Sequence, residues 1–288
     1  MDYKNKIQHD EIEKDLNHIR DFICLATSEP VYLDTIFSRG KDGFNESEIL
    51  FKRKYNIKNF DKHPLKQILY FEDIEKEYNN VLQKWFEDYE QLKHIYEMFF
   101  LTIYAPSELS FKFLSLAQAL DSYTWIHIKN KSDYSKEKTK LLTTEEFARR
   151  KSLIIENIPD NEPEGLKEWI ENQLDNAIGF KERLSILFED YDKIFNNIDN
   201  KEIFIKALVE TRNAISHGYS EEQYKKNKYC YRNNDLYLLF YGAKMILTTV
   251  FLRKIGFRDE KILDCLKRIN RYSSILEGKY KYEEKKGN

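Results

Sequence analysis

Arg212 and His217 stand five positions apart in the stretch ETRNAISHGYS (Glu210–Ser220), which closes a segment with helical apolar spacing. A histidine exchanges a proton near neutral pH, so it can accept one from a ribose 2′-OH or give one to a leaving 5′ oxygen. An arginine keeps its charge and holds two phosphate oxygens at once. These are economical residue types for cleaving RNA without a metal, and Asn213 beside Arg212 can orient a substrate oxygen or the imidazole. Geometry imposes a condition. Five residues of ideal helix correspond to about 500° of rotation and about 7.5 Å of rise, so the two side chains do not leave one point of one face. They converge if the helix stops at the histidine and the long arginine swings towards that end. A two-fold axis beside the helix would also bring two copies of the motif into one cleft.

Spacing alone carries little weight. With 12 arginines and six histidines in the chain, an Arg five positions before a His arises by chance in roughly a quarter of such sequences. A silent arrangement pairs Arg212 with Glu210 or Glu202 and uses His217 to cap the last carbonyls of its helix. Just past the motif, YKKNKYCYR (Tyr224–Arg232) interleaves Lys225, Lys226, Lys228 and Arg232 with Tyr224, Tyr229 and Tyr231. Cations that hold phosphate and rings that stack on unpaired bases suit single-stranded RNA, although the same segment alone also reads as a solvated loop. His127, in TWIHIKN, reads as a satisfied helix-end histidine, and His9, His18, His63 and His94 show no metal-like spacing. No GxxxxGK[ST] or GxGxxG loop offers a phosphate cradle. Neither a metal nor a cofactor is expected.

The elements that position these residues are mainly helical. The 288 residues are 41% apolar and 15% aromatic, with nine glycines and five prolines, enough apolar mass for a sizeable core and too few turn residues for an all-β fold. Basic and acidic side chains, 47 against 49, nearly cancel, so any nucleic-acid site is a local patch. Cys24, Cys230 and Cys265 are odd in number and lack a CxxC, which argues against a disulfide framework or zinc. The N-terminus has no signal-like apolar core and no run of about 18 apolar residues is present, so a cytoplasmic, membrane-free protein is expected. Ile12, Leu16, Ile19, Phe22 and Ile23 predict a helix over Glu11–Ala26. The runs Pro30–Phe37 and Glu48–Ile57 predict two paired strands about the turn RGKDGFNES. Residues 1–62 thus read as a small N-terminal α/β appendage, or the remnant of a larger domain. Residues 63–280 read as a helical domain and 281–288 as a frayed tail. Within the helical part, Pro106 is a break, Ser107 and Thr143 are candidate caps, and Gly218 and Gly256 are stops. DEKILDCLKRINRY is the last helix.

In this context LVETRNAISHG resembles the signature of the HEPN families, helical proteins of prokaryotic conflict systems and RNA processing, whose active members carry Arg, a polar residue, a spacer and His. FLSLAQALDSY (Phe113–Tyr123) is similar to the helix preceding the motif in the ApeA-like branch, with Asp121 where a glutamate is usual. FKERLSILFED resembles that branch's short Arg-Leu helix, and LYLLFYGAKMILTTVFLRKIGF its post-motif helix. DFICLATSEPVYLDTI resembles the segment leading into it. The resemblance implies a HEPN-type helical bundle acting as a metal-independent endoribonuclease, used as a toxin-like effector in phage defence by abortive infection. Arg212 and His217 would be its catalytic pair and Asn213 their polar companion. Asp121 and Glu210 are supporting candidates, Asp121 being equally suited to anchoring an arginine or a helix end. Lys225, Lys226, Lys228, Tyr229 and Arg232 are candidate RNA contacts. The resemblance also implies a homodimer through the motif-bearing helices, and a regulatory or antitoxin partner is compatible with it. ApeA-like proteins usually carry a substantial β-rich N-terminal domain, whereas about 60 residues precede the helical part here. The competing reading is a catalytically inactive helical module that binds RNA or protein, with Arg212 and His217 structural.

Overall fold

The computed structural model of the chain describes residues 9–33, 36–39, 46–49, 67–130, 142–159, 161–174 and 176–285. Thirteen helices dominate them: α1 (His9–Thr27), α2 (Tyr78–Gln91), α3 (Lys93–Tyr104), α4 (Leu109–Lys129), α5 (Thr144–Glu156), α6 (Leu166–Gln173), α7 (Phe180–Asp190), α8 (Asp192–Phe195), α9 (Lys201–Ser216), α10 (Glu221–Lys226), α11 (Asn233–Lys254), α12 (Asp259–Lys267) and α13 (Asn270–Leu276). Two short strands, β1 (Ile36–Arg39) and β2 (Glu46–Ile49), pair antiparallel with Ile36 opposite Ile49. The fold is mainly α, as the helical spacing predicts. The strand pair sits closer to its turn than the β-branched runs suggested, on the inner ends of both. The remainder of the second run, the boundary expected at residue 62 and the polar segment 131–141 lie outside the described residues.

The helices and strands belong to two compact units, one made of residues 1–120 with 192–288 and the other of residues 121–191. In the first, α2 packs on α1, α3 and α11, and α11 packs on α9, α12 and α13. The α1–α2 contact shows why an apolar stripe alone misplaces a helix. Ile23 belongs to the expected stripe yet is 42% exposed, while His18, Asp21, Cys24 and Leu25 are buried. The inner face is tied by polar bonds: Tyr89 donates to Asp21 Oδ2 at 2.7 Å, and Trp85 Nε1 donates to the His18 backbone carbonyl at 2.9 Å. A buried polar group costs little once it is hydrogen-bonded. Asp88 is bound in the same way, by Tyr96 at 2.8 Å and Lys254 at 3.1 Å.

Helix α11 is the core of this unit. Its residues 242–252 are all buried, and by length and composition it could cross a membrane; 78% of that apolar window is nevertheless buried inside the protein. Gly242 lets α9 come close, because a Cβ there would lie 2.7 Å from two ring carbons of Phe204. Phe204 is fully buried and its ring meets Tyr282 at 4.6 Å. Full burial of such a ring contributes roughly 1.5–3 kcal/mol. Tyr282 lies within the stretch 281–288 expected as a tail, of which residues 281–285 are described. It is 0% exposed, and the neighbouring Glu283 exchanges two backbone hydrogen bonds with the Tyr231 hydroxyl, at 3.0 and 3.1 Å. The aromatic ring inside an otherwise charged tail supplies the anchor. The last predicted helix is likewise divided, with Ile269 extended between α12 and α13.

In the second unit Arg183 of α7 is buried and organises the residues around it. It donates to Asp121, to Thr124 Oγ1 at 3.3 Å and to the Ile178 carbonyl at 2.6 Å, and lies 4.0 Å over the Trp125 ring. His127 meets Asp190 at 2.6 Å, so it is the satisfied helix-end histidine that its position suggested. Thr143 caps α5 by accepting from Glu146 N at 3.2 Å.

Candidate active site

Helix α9 places the Arg-Asn-His motif by burying one face and leaving the other in solvent. Phe204, Leu208, Thr211 and Ala214 are buried, Arg212 and Asn213 half-buried, and Ser216 and His217 exposed. The helix stops at His217 for a local reason. Gly218 adopts φ +60°, a conformation other residues reach only with strain, and the chain closes a Schellman cap: Tyr219 N donates to the Ala214 carbonyl at 3.0 Å and Gly218 N to the Ile215 carbonyl at 3.3 Å. His217 is therefore the C-cap residue. Its side chain makes no hydrogen bond to a described residue, so its imidazole is available to solvent rather than spent on the helix end. Three residues later Ser220 opens α10 through a reciprocal capping box with Gln223, at 3.3 and 2.7 Å. The histidine thus sits at a corner fixed by caps on both sides.

Arg212 points into a different set of contacts. Its Nη1 donates to Asn213 Oδ1 at 3.0 Å and its Nη2 to Gln118 Oε1 of α4 at 3.3 Å. Glu210 turns to Asn227, whose Nδ2 donates to its carboxylate at 2.8 Å. Between them, buried Thr211 ties the post-motif loop to α9: its Oγ1 accepts from Tyr231 N at 2.9 Å and donates to the Tyr229 carbonyl at 3.4 Å. The structure thus brings Arg212 and Asn213 together. It leaves His217 one turn further on, at the exposed end. Asp121 is engaged by Arg183, the anchoring role weighed for it from the sequence.

The basic loop past the motif is largely neutralised. Arg232 makes two bonds to Glu221, at 2.7 and 2.8 Å, and lies 3.8 Å over the Tyr224 ring. Lys226 pairs with Glu222 at 2.6 Å, and Lys228 and the Tyr229 hydroxyl both meet Glu284. Accordingly the Glu221 and Glu284 carboxyls lie below their ordinary values, chiefly through hydrogen bonds from Arg232 and Lys228. Lys225 is exposed and makes no ion pair with a described residue. Sequence reasoning missed Gln118 and Thr211 as partners of the motif. Gln118 is a polar residue beside the buried stripe of α4, a visible signal, but its partner is 94 positions away. The three cysteines are buried and unpaired, and burial pushes each thiol up to about 11. Among the described residues no group of three or more His, Cys, Asp or Glu side chains could hold a metal ion.

The family model described as Apea-like HEPN matches residues 114–261, just over half of the chain, from within α4 through α11 into the start of α12. The chain belongs to the Apea-like HEPN family. A second family model, ApeA N-terminal domain 1, matches residues 2–85 and so runs through α1 and the strand pair into α2. Neither the curated proteins nor the solved structures yield a match. ApeA-like HEPN domains are associated with anti-phage defence, and HEPN domains are generally nucleases. Gln118, Asp121, Arg212, Asn213 and His217 all fall inside the HEPN match.

Proposed function

We propose that this HEPN protein is a metal-independent endoribonuclease that acts in phage defence as a toxin-like effector, with Arg212 and His217 as its catalytic pair. The observation that carries the reading is the placement of His217: an exposed imidazole at a doubly capped corner, held by none of the described residues, at the end of α9 just beyond Arg212 and inside the family match. In the proposed reaction the ribose 2′ oxygen attacks phosphorus and the P–O5′ bond breaks, leaving a 2′,3′-cyclic phosphate and a free 5′-OH. One imidazole takes the 2′ proton, and an imidazolium delivers a proton to O5′. Arg212 neutralises the crowded phosphate in between. One chain supplies one motif histidine, so a two-fold pairing of α9 with its copy supports the scheme by bringing two imidazoles and two guanidiniums to one cleft. The cytoplasm, where RNA is abundant, is the matching compartment.

Purified protein is incubated with total RNA beside His217→Ala and Arg212→Ala variants, with and without a chelator. Cleavage by the wild type alone, insensitive to the chelator and yielding 2′,3′-cyclic phosphate ends, is expected. Equal cleavage by all three proteins, or none by the wild type, favours instead a helical RNA- or protein-binding module in which the two residues are structural.

A further inference from the structure

A guanidinium can only donate, and this fixes both of its neighbours. Because Arg212 donates to Gln118 Oε1 at 3.3 Å and to Asn213 Oδ1 at 3.0 Å, each amide turns its carbonyl towards the arginine and its NH2 away. Neither amide nitrogen makes a hydrogen bond to a described residue, and Gln118 is exposed. Two amides from two helices thus flank the cation, each with an NH2 not bonded to a described residue. A phosphodiester presents two non-bridging oxygens and one negative charge, and such a set suits it better than an arginine alone.

We infer that Gln118 positions Arg212 and presents its own NH2 to the phosphate that Arg212 binds. The inference rests on the ribonuclease reading and adds to it a residue of α4 that the Arg-Asn-His signature does not contain. A merely structural role predicts something different. If Gln118 only ties α4 to α9, then a glutamate, which accepts from Arg212 more strongly, preserves function. If it serves the phosphate, a glutamate removes the donor, neutralises the guanidinium and repels the substrate, and is at least as damaging as leucine.

The test uses full-length wild type, Gln118→Leu, Gln118→Glu and His217→Ala. Each is measured for cleavage of an RNA oligonucleotide and for binding of the same sequence made with 2′-O-methyl ribose, which has no attacking hydroxyl. Losses of about 10- to 100-fold in kcat/KM are expected for Gln118→Leu, as for one hydrogen bond to a charged group. Gln118→Glu should lose at least as much and bind the 2′-O-methyl RNA more weakly than Gln118→Leu, with melting temperature unchanged or raised. Retention of activity and binding by Gln118→Glu, or values within twofold of wild type for both variants, overturns the inference. If the wild type cleaves nothing, the ribonuclease reading falls and the binding series alone decides: weaker binding in the order wild type, Leu, Glu supports the phosphate role of Gln118. Equal binding or none overturns it.

Discussion

Replacing Thr211 by valine keeps the shape of the side chain and removes the hydroxyl that ties the post-motif loop to the residue preceding Arg212. Two hydrogen bonds are lost: the 2.9 Å bond from Tyr231 N and the 3.4 Å bond to the Tyr229 carbonyl. The second is long and contributes little. The first matters because both residues are buried, so the Tyr231 N–H would be left without an acceptor. A buried donor stranded in this way costs about 1–3 kcal/mol, and a chain of this size loses roughly 2–4 °C of melting temperature per kcal/mol. A drop of about 2–12 °C is expected, together with faster hydrogen exchange of the Tyr231 amide by about 10- to 100-fold. Thr211→Ser, which keeps the acceptor, should recover most of both. The loop remains partly held through Asn227 and Glu210, so the protein should stay folded. Melting temperatures are read by calorimetry and exchange by mass spectrometry of the peptide containing Tyr231. Valine matching wild type in both, or serine behaving like valine, would show that this hydroxyl does not hold the loop.

Asp73 is nearly buried and bonded by Arg268 and Lys261. Burial alone would raise its carboxyl, but the hydrogen bonds from those two cations and from Tyr70 N hold it well below the usual carboxylate range. Its folded-state value is depressed, so the stability it confers is present above about pH 4 and is lost as pH falls further; Asp73→Asn should cost about 2 kcal/mol near neutrality, less than a fully buried pair because both cations are partly exposed, and flatten the acid limb of a urea-denaturation series. His18 works in the same direction at a higher pH. Burial lowers its imidazole below the ordinary value, against the pull of Glu90, and its Nδ1 has no partner, so the unfolded chain binds the proton more readily. Stability should therefore fall as pH drops below about 6.5, and His18→Gln should remove that slope in melting temperatures taken between pH 5 and 8. Gly242→Ala sets a methyl against the Phe204 ring, an overpacking cost of about 1–3 kcal/mol offset by roughly 1 kcal/mol of helix propensity. Combined with Phe204→Leu, which makes room, the two should show a favourable coupling of about 1 kcal/mol in a double-mutant cycle, and strict additivity would deny the close approach.

Much of this was legible in the sequence where one principle acted alone. Thr143 as a cap and Gly218 and Gly256 as stops follow from local backbone chemistry, and each sits where that chemistry requires. The motif was legible from residue type and the family from the segments around it. What escaped was set by partners distant in the chain. Ile23 faces outward because His18 and Asp21 take the inner face, where Trp85 holds the His18 backbone carbonyl and Tyr89 the Asp21 carboxylate from more than 60 positions away. Residues 282 and 283 are docked because the Tyr282 ring meets Phe204 and the Glu283 carbonyl accepts from the Tyr231 hydroxyl, which nothing in a run of lysines and glutamates announces. The cations of YKKNKYCYR looked ready for phosphate, yet Glu221, Glu222 and Glu284 occupy three of them.

The 22-residue helix α11 has a consequence for how damaged versions of this protein should be handled. Folded, it is wrapped by its neighbours. A polypeptide that fails to assemble around it would display a greasy segment long enough to enter a lipid bilayer or to seed precipitation. Variants that vanish from the soluble fraction of a cell extract should therefore be sought in the pellet before their silence is credited to lost chemistry.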